Sequence, residues 1–299
     1  MSESNKRNFI VHGSILAIAG ILVRIIGMLY RIPVVNIIGS EGNGIYGAAF
    51  NIYNIMLVLS SYGLPMAVSK LVSARFTKKR YKSAAKVLRC SLMVAVCTGG
   101  IAALLVFFGA SFIENVIYGG GLPGLAVPLR ILAPTIFLVA ILGVIRGFFQ
   151  GQSTMIPTAV SQILEQIVNA IVSIAAGYGM MKAFASLPDV AAYGAAGSTL
   201  GTAMGALTAV LFMGFLYAVY TPTFNRLKRK DRHTENQSTG QICKIIIYTM
   251  IPIILGQTFY QISALIDDVM FSNIMVGRDI TKSISMDLGN FSSSYSLLI

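Results

Sequence analysis

Two arginines sit where a charge is costly. Arg24 and Arg31 interrupt the apolar run ILVRIIGMLYRIP. Seven residues apart, they share one face of a helix, with Gly20 and Gly27 beside them. A forked guanidinium matches the geometry of a phosphate better than an ammonium does. Snorkelling to the outer surface is the competing role for Arg31, and a structural ion pair for Arg24. A second pattern is the stripe Thr158, Gln162, Glu165, Gln166, Asn169 and Ser173, spaced by threes and fours along another apolar run. Glu165 there can pair with an interior arginine, hold a proton or fix a substrate hydroxyl. The structural alternative is hydrogen bonding between helices. Asn51, Asn54 and Ser61 add polarity to a third run. Asp267 and Asp268 are adjacent, so at most one faces a cavity, where carboxylate oxygens suit a small cation or a proton. Arginines, amides and a carboxylate together suit a ligand that carries both phosphate and sugar or peptide hydroxyls.

Other chemistries lack their residues. Cys90 and Cys97 lie two turns apart in one run and Cys243 stands alone, and with only His12 and His233 a metal centre has no ligand set. Gly119, Gly121 and Gly124 satisfy G-x-G-x-x-G, but Pro123 lies inside the pattern and no strand precedes it, which makes it a turn. There is no Walker sequence and no nucleophile–base arrangement, so the chain reads as a non-enzyme. Asn236-Gln237-Ser238 fits a glycosylation sequon only formally, because its connection is assigned to the cytoplasm below.

The elements that position these residues follow from composition. Of 299 residues, 55% are hydrophobic and 11% charged, with a mean hydropathy of +0.74. A soluble domain carries about 25% charged residues, so this is an integral membrane protein. Apolar stretches fall near 9–32, 44–72, 87–112, 128–149, 157–181, 193–219 and 245–275, and an eighth begins near Phe291. They are long and nearly free of charge, which predicts an all-α membrane helix bundle and excludes the short alternating strands of a barrel. Rows of glycine at every fourth residue, 143, 147 and 151 and again 197, 201 and 205, predict close helix contacts.

The net charge of +12 is mostly topological. Lys6, Arg7, the seven cations between Arg75 and Arg89, and the six from Arg226 to Lys244 lie on one side, fifteen against Lys182, Arg278 and Lys282 on the other. That asymmetry places the N-terminus in the cytoplasm. The clusters lie between membrane runs, so nucleic acid is not the implied partner; membrane lipids are.

The segments GSILAIAGILVRIIGMLYRIPVVNIIGSEGNGIYGAAFNIYNI at 13–55, SSYGLPMAVSKLVSARF at 60–76, RILAPTIFLVAILGVIRGFFQGQSTMIPTAVSQILEQIVNAI at 130–171 and YGAAGSTLGTAMGAL at 193–207 carry a resemblance. In their order and spacing the chain resembles flippases of the MATE-like multidrug/oligosaccharidyl-lipid/polysaccharide superfamily, on the branch of the stage V sporulation protein B and lipid II flippases. The resemblance implies two six-helix lobes around a central cavity and alternating access. It implies a cytoplasmic tail at 1–8, a six-helix N-lobe at 9–220, a basic inter-lobe loop at 221–244, and the beginning of a C-lobe at 245–299 that stops just inside its second span. Arg24 matches a helix 1 arginine that engages a lipid diphosphate in relatives, with Gly27 in register; Arg31 matches a second after a one-residue shift. The helix 2 arginine pair of the lipid II flippases is replaced by Leu57 and Val58. Asp267 matches a helix 7 aspartate of a sodium site in some relatives.

The expected function is therefore movement of a polyprenyl-diphosphate-linked glycan, a peptidoglycan precursor, from the inner to the outer leaflet of the cell membrane. Arg24, Arg31, Asn54, Gln162, Glu165 and Asn169 are the expected substrate contacts, with Asp267 as a cation ligand. No cofactor is implied beyond Na+ or H+ coupling. Two competing readings are a cation-coupled exporter of small amphipathic compounds and a membrane scaffold that recruits cell-wall synthesis proteins through its basic loops.

Overall fold

A computed structural model describes residues 3–232, 237–276 and 286–290. His233, Asn236, Arg278, Lys282 and the stretch from Phe291 lie outside the described residues. The described elements are all helical: α1 (Glu3–Ser60), α2 (Leu64–Thr77), α3 (Tyr81–Phe112) with a π-helical turn at Ile113–Ile117, α4 (Ala126–Gly151), α5 (Ile156–Ala183), α6 (Val190–Lys230) and α7 (Thr239–Val276). A short helix also covers 286–290. Among the described residues, six helical stretches are long and apolar enough to cross a membrane, the first reaching from Gly13 in α1 to Thr77 at the end of α2.

That first segment cannot be one crossing. A straight helix the length of α1, 58 residues, extends about 87 Å at 1.5 Å per residue, nearly three hydrocarbon cores. The chain turns at Gly39, whose φ of 70° and ψ of 177° belong to a region open essentially to glycine alone. Tyr30 and Tyr46 meet across the turn, as they could not in a straight rod. Residues 36–43, expected as a connection, thus stay helical except at one residue. The second predicted span is itself broken: α1 ends at Ser60, a turn at 61–63 intervenes, and Pro65 occupies the first turn of α2, where its missing N–H is harmless.

The glycine rows do what their spacing predicts. A Cβ on Gly147 would lie 2.6 Å from the Pro65 carbonyl oxygen, and one on Gly151 2.7 Å from Val72 Cβ, so α4 lies directly on α2. On α6, Gly201 faces Asn169 and Ser173, and Gly205 faces the Glu165 carbonyl, so α6 lies on α5 along the flank of its polar stripe. Two apolar cores result. One joins Ile45, Tyr46 and Ile52 of α1 to Leu129, Leu132 and Ile136 of α4. The other is centred on Phe148, whose ring packs against Phe76, Tyr217 and Phe224.

The two basic connections converge. Arg75 donates to the Ser83 hydroxyl (2.9 Å), the Leu71 carbonyl (3.0 Å) and Gln237 Oε1 (2.8 Å). Asp231 accepts the Lys82 backbone N–H at 2.8 Å, capping α3 from a distant part of the chain. The segment expected as a loop at 221–244 is largely helix, because α6 continues to Lys230 and α7 begins at Thr239.

Candidate functional site

Helix α5 carries the polar stripe, and its neighbours divide that stripe into three parts. Toward the N-terminal end of α5, Arg146 of α4 donates Nη2 to Glu165 at 2.7 Å and Nε to the Ser161 hydroxyl at 2.9 Å. The two charged side chains are only 14% and 26% exposed, and theirs is the one ion pair among the described residues. In the sequence Arg146 stands near the end of its apolar run, a position that reads as interfacial. The turn at 152–155 that joins α4 to α5 is short, and counting away from it brings 146 and 165 to nearby levels. Of the roles open to Glu165, the structure shows the ion pair.

The C-terminal end of the stripe is built into the helix packing. Ser173 donates to Asn169 Oδ1 (2.9 Å) and is also placed 2.8 Å from the Ser198 carbonyl. Asn169 donates Nδ2 to the Tyr30 hydroxyl at 3.3 Å, and Thr202 reaches Asn169 Oδ1 at 3.5 Å. Asn169 thus joins α1, α5 and α6. Tyr30 drew no attention in the sequence, although it is the neighbour of Arg31.

Between these two ends α5 meets the arginine face of α1. A Cβ on Gly27 would lie 3.2 Å from Gln166 Nε2, so the amide rests against the bare backbone midway between Arg24 and Arg31. Arg24 is exposed and Arg31 half-buried. Neither makes a hydrogen bond or ion pair among the described residues; Arg31 lies within electrostatic range of Tyr46. Counted from the turn at Gly39, Arg24 lies about 22 Å and Arg31 about 12 Å along α1 at 1.5 Å per residue. Asn54 and Gln162 are half-buried. Tyr53, the neighbour of Asn54, is within electrostatic range of Glu165. Arg24, Arg31, Glu165 and Asn169 thus sit around the contact of α1 with α5, with Asn54 and Gln162 on the same two helices.

Asp267 is not part of this group. It is exposed on α7, while Asp268 accepts a hydrogen bond from Asn51 Nδ2 of α1. The hydroxyl of the fully buried Tyr118 lies near Asp268 and has no hydrogen-bond partner among the described residues. One turn on, Ser272 donates to the Tyr118 carbonyl at 2.9 Å and Asn273 to the Ile117 carbonyl at 2.8 Å. Of the two aspartates, the inward one is Asp268. Among the described residues no group of three or more His, Cys, Asp or Glu side chains assembles to hold a metal ion.

Comparison with known proteins agrees with this architecture. Residues 10–299 match the polysaccharide biosynthesis protein family. The lipid II flippase MurJ of Bacillus subtilis is 34% identical over 176 residues, 57% of this chain and 32% of that protein. Stage V sporulation protein B of the same organism is 31% identical over 209 residues, 70% of this chain and 39% of that protein. An outward-facing multidrug MATE transporter of the MOP superfamily superposes with a TM-score of 0.65 at 17% identity, over 95% of this chain and 59% of the transporter. The chain spans between about a third and a half of the length of the curated relatives it matches.

Proposed function

The chain belongs to the polysaccharide biosynthesis protein family, and from that premise we propose that it moves a polyprenyl-diphosphate-linked saccharide across the cell membrane. The lipid-linked peptidoglycan precursor is the substrate to which the likeness to a lipid II flippase points. One observation carries the reading: two arginines within α1 keep their guanidinium groups without a carboxylate partner among the described residues, whereas Arg146 is neutralised by Glu165. An unpaired charge within a membrane span is costly unless an anion arrives to meet it. A diphosphate supplies that charge, and the α5 amides Gln162 and Gln166 stand near enough to serve the sugar. The inside-negative membrane potential favours outward movement of an anion by about 2.3 kcal/mol per charge per 100 mV.

In this proposal residues 9–220 form one lobe, 245–299 begin a second, the N-terminus is cytoplasmic, and the lobes rock to alternate the opening. Asp268, held by Asn51, is the carboxylate placed to couple that motion to Na+ or H+. The Arg24→Ala variant should insert and fold normally but lose exposure of labelled precursor on the outer leaflet. Wild-type exposure in that variant overturns the assignment.

A further inference from the structure

A second site lies away from the arginines, on the cytoplasmic half of the molecule between α2 and α7. Met66, Lys70, Ile245, Tyr248, Thr249, Pro252 and Ile253 line a groove of about 620 Å³, within the range of roughly 300–1,000 Å³ typical of small-ligand sites. Its walls are mostly apolar; Lys70 is the one charged lining residue, and the Thr249 hydroxyl is spent on the Ile245 carbonyl. Lys70 is exposed in the groove and makes no hydrogen bond or ion pair among the described residues. A second ammonium stands near the mouth, where Lys244 Nζ lies 5.6 Å from the Tyr248 ring centroid.

The depth of the groove narrows the choice of occupant. Helix α2 ends at Thr77 on the cytoplasmic side, and α7 begins there at Thr239. Lys70 is seven residues before the end of α2, about 10 Å inward at 1.5 Å per residue, at the level of phospholipid phosphates and glycerol esters rather than of bulk water or mid-membrane. The α1–α2 turn closes the inner end, where Gly63 packs against Met250. Pro252 has no N–H, so it leaves the Tyr248 carbonyl of the groove wall without its helical donor. The Tyr248 side chain is itself exposed. The groove therefore combines an apolar channel, an unpaired cation at headgroup depth and a second cation toward the cytoplasm.

We propose that this groove binds an anionic phospholipid of the cytoplasmic leaflet, with an acyl chain along Met66, Ile245 and Ile253 and the phosphodiester at Lys70. Ordinary positive-inside loops attract anionic lipid diffusely; a groove with one deep lysine holds a lipid molecule at a defined place. The groove shares no residue with the arginine face of α1, so Lys70→Gln and Arg24→Ala test the two readings separately.

The test is native mass spectrometry of the purified full chain, released from micelles supplemented with phosphatidylglycerol or phosphatidylcholine. The wild type should retain phosphatidylglycerol in preference to phosphatidylcholine. Lys70→Gln should lower that retention at least fivefold, and Lys70→Arg should keep it. Met66→Trp fills the groove without changing charge and should lower retention equally, while Lys228→Gln, on the cytoplasmic end of α6, should leave it unchanged. Equal loss in Lys70→Gln and Lys228→Gln means diffuse attraction and overturns the site. So does retention in Met66→Trp at the wild-type level, or retention of undecaprenyl diphosphate in place of phosphatidylglycerol. Unchanged melting temperatures of the variants keep a folding defect from imitating the result.

Discussion

Arg146 and Arg24 are the same residue type in the same bundle, and their surroundings differ in every respect that matters in a bilayer. Arg146 lies between α4 and α5, 14% exposed, with its charge met by Glu165 and another donor on Ser161. Arg24 lies on the open side of α1 with no partner among the described residues, beside Gly20, at which an added Cβ would meet nothing. The first arrangement needs no ligand to be stable. The second is incomplete without water or an anion. A buried ion pair is thus weak evidence of function in a membrane bundle, and an arginine without such a partner is the better candidate for a ligand contact.

The firmest half of that contrast is the packing around α5, and it should break first. A side chain at Gly201 would drive into Ser173 and the Asn169 carbonyl, which its Cβ would approach to 2.6 Å. The contact is largely backbone, so it cannot yield as a flexible side chain would. Gly201→Leu should abolish recovery of folded protein in size-exclusion chromatography after mild detergent extraction. A monodisperse variant with wild-type melting would mean that α6 does not rest on α5 as closely as the structure shows.

The ion pair itself comes next. Removing one partner leaves a charge stranded in the membrane, so Arg146→Leu should destabilise the protein by about 3 kcal/mol. Adding Glu165→Leu removes the stranded charge and should restore most of the loss, since apolar replacement of a whole buried pair is often neutral. Thermal melting of the two variants checks this. If the double variant melts lower than the single one, Glu165 has a role beyond answering Arg146. Neutralising Arg24 by Ala should show the opposite pattern, with melting unchanged and translocation lost.

The sequence made the helices, their order and their close contacts legible, because apolar length and four-residue glycine spacing are local signals. Gly39 and Pro65 show where that legibility stops. The reversal at Gly39 lies in a helix that keeps its pattern on both sides, so the expected loop at 36–43 shrank to one residue. The stripe on α5 was visible from its spacing, but not its division among three neighbours, since spacing gives a face and not a partner. Asp267 and Asp268 differ by 100° of helical phase; only the approach of Asn51 decides which one turns inward. Arg146 was missed because a charge near a span end reads as interfacial until the facing helix supplies a carboxylate.

The smallest effect distinguishes the two glycines on the arginine face. A Cβ at Gly27 would sit 3.2 Å from Gln166 Nε2, the flexible end of a side chain that can give by a few tenths of an ångström. One at Gly20 would meet nothing within 4 Å. Alanine is also the better helix former by about 1 kcal/mol, so Gly20→Ala should raise the melting temperature slightly and leave transport unchanged. Gly27→Ala gains the same propensity but displaces the amide that stands between the two arginines. Its melting temperature should stay near wild type, while precursor exposure falls about two- to fivefold, a change of less than ~1 kcal/mol. Equal transport by both variants would show that Gln166 takes no part in holding the substrate, and would confine the site to the arginines of α1.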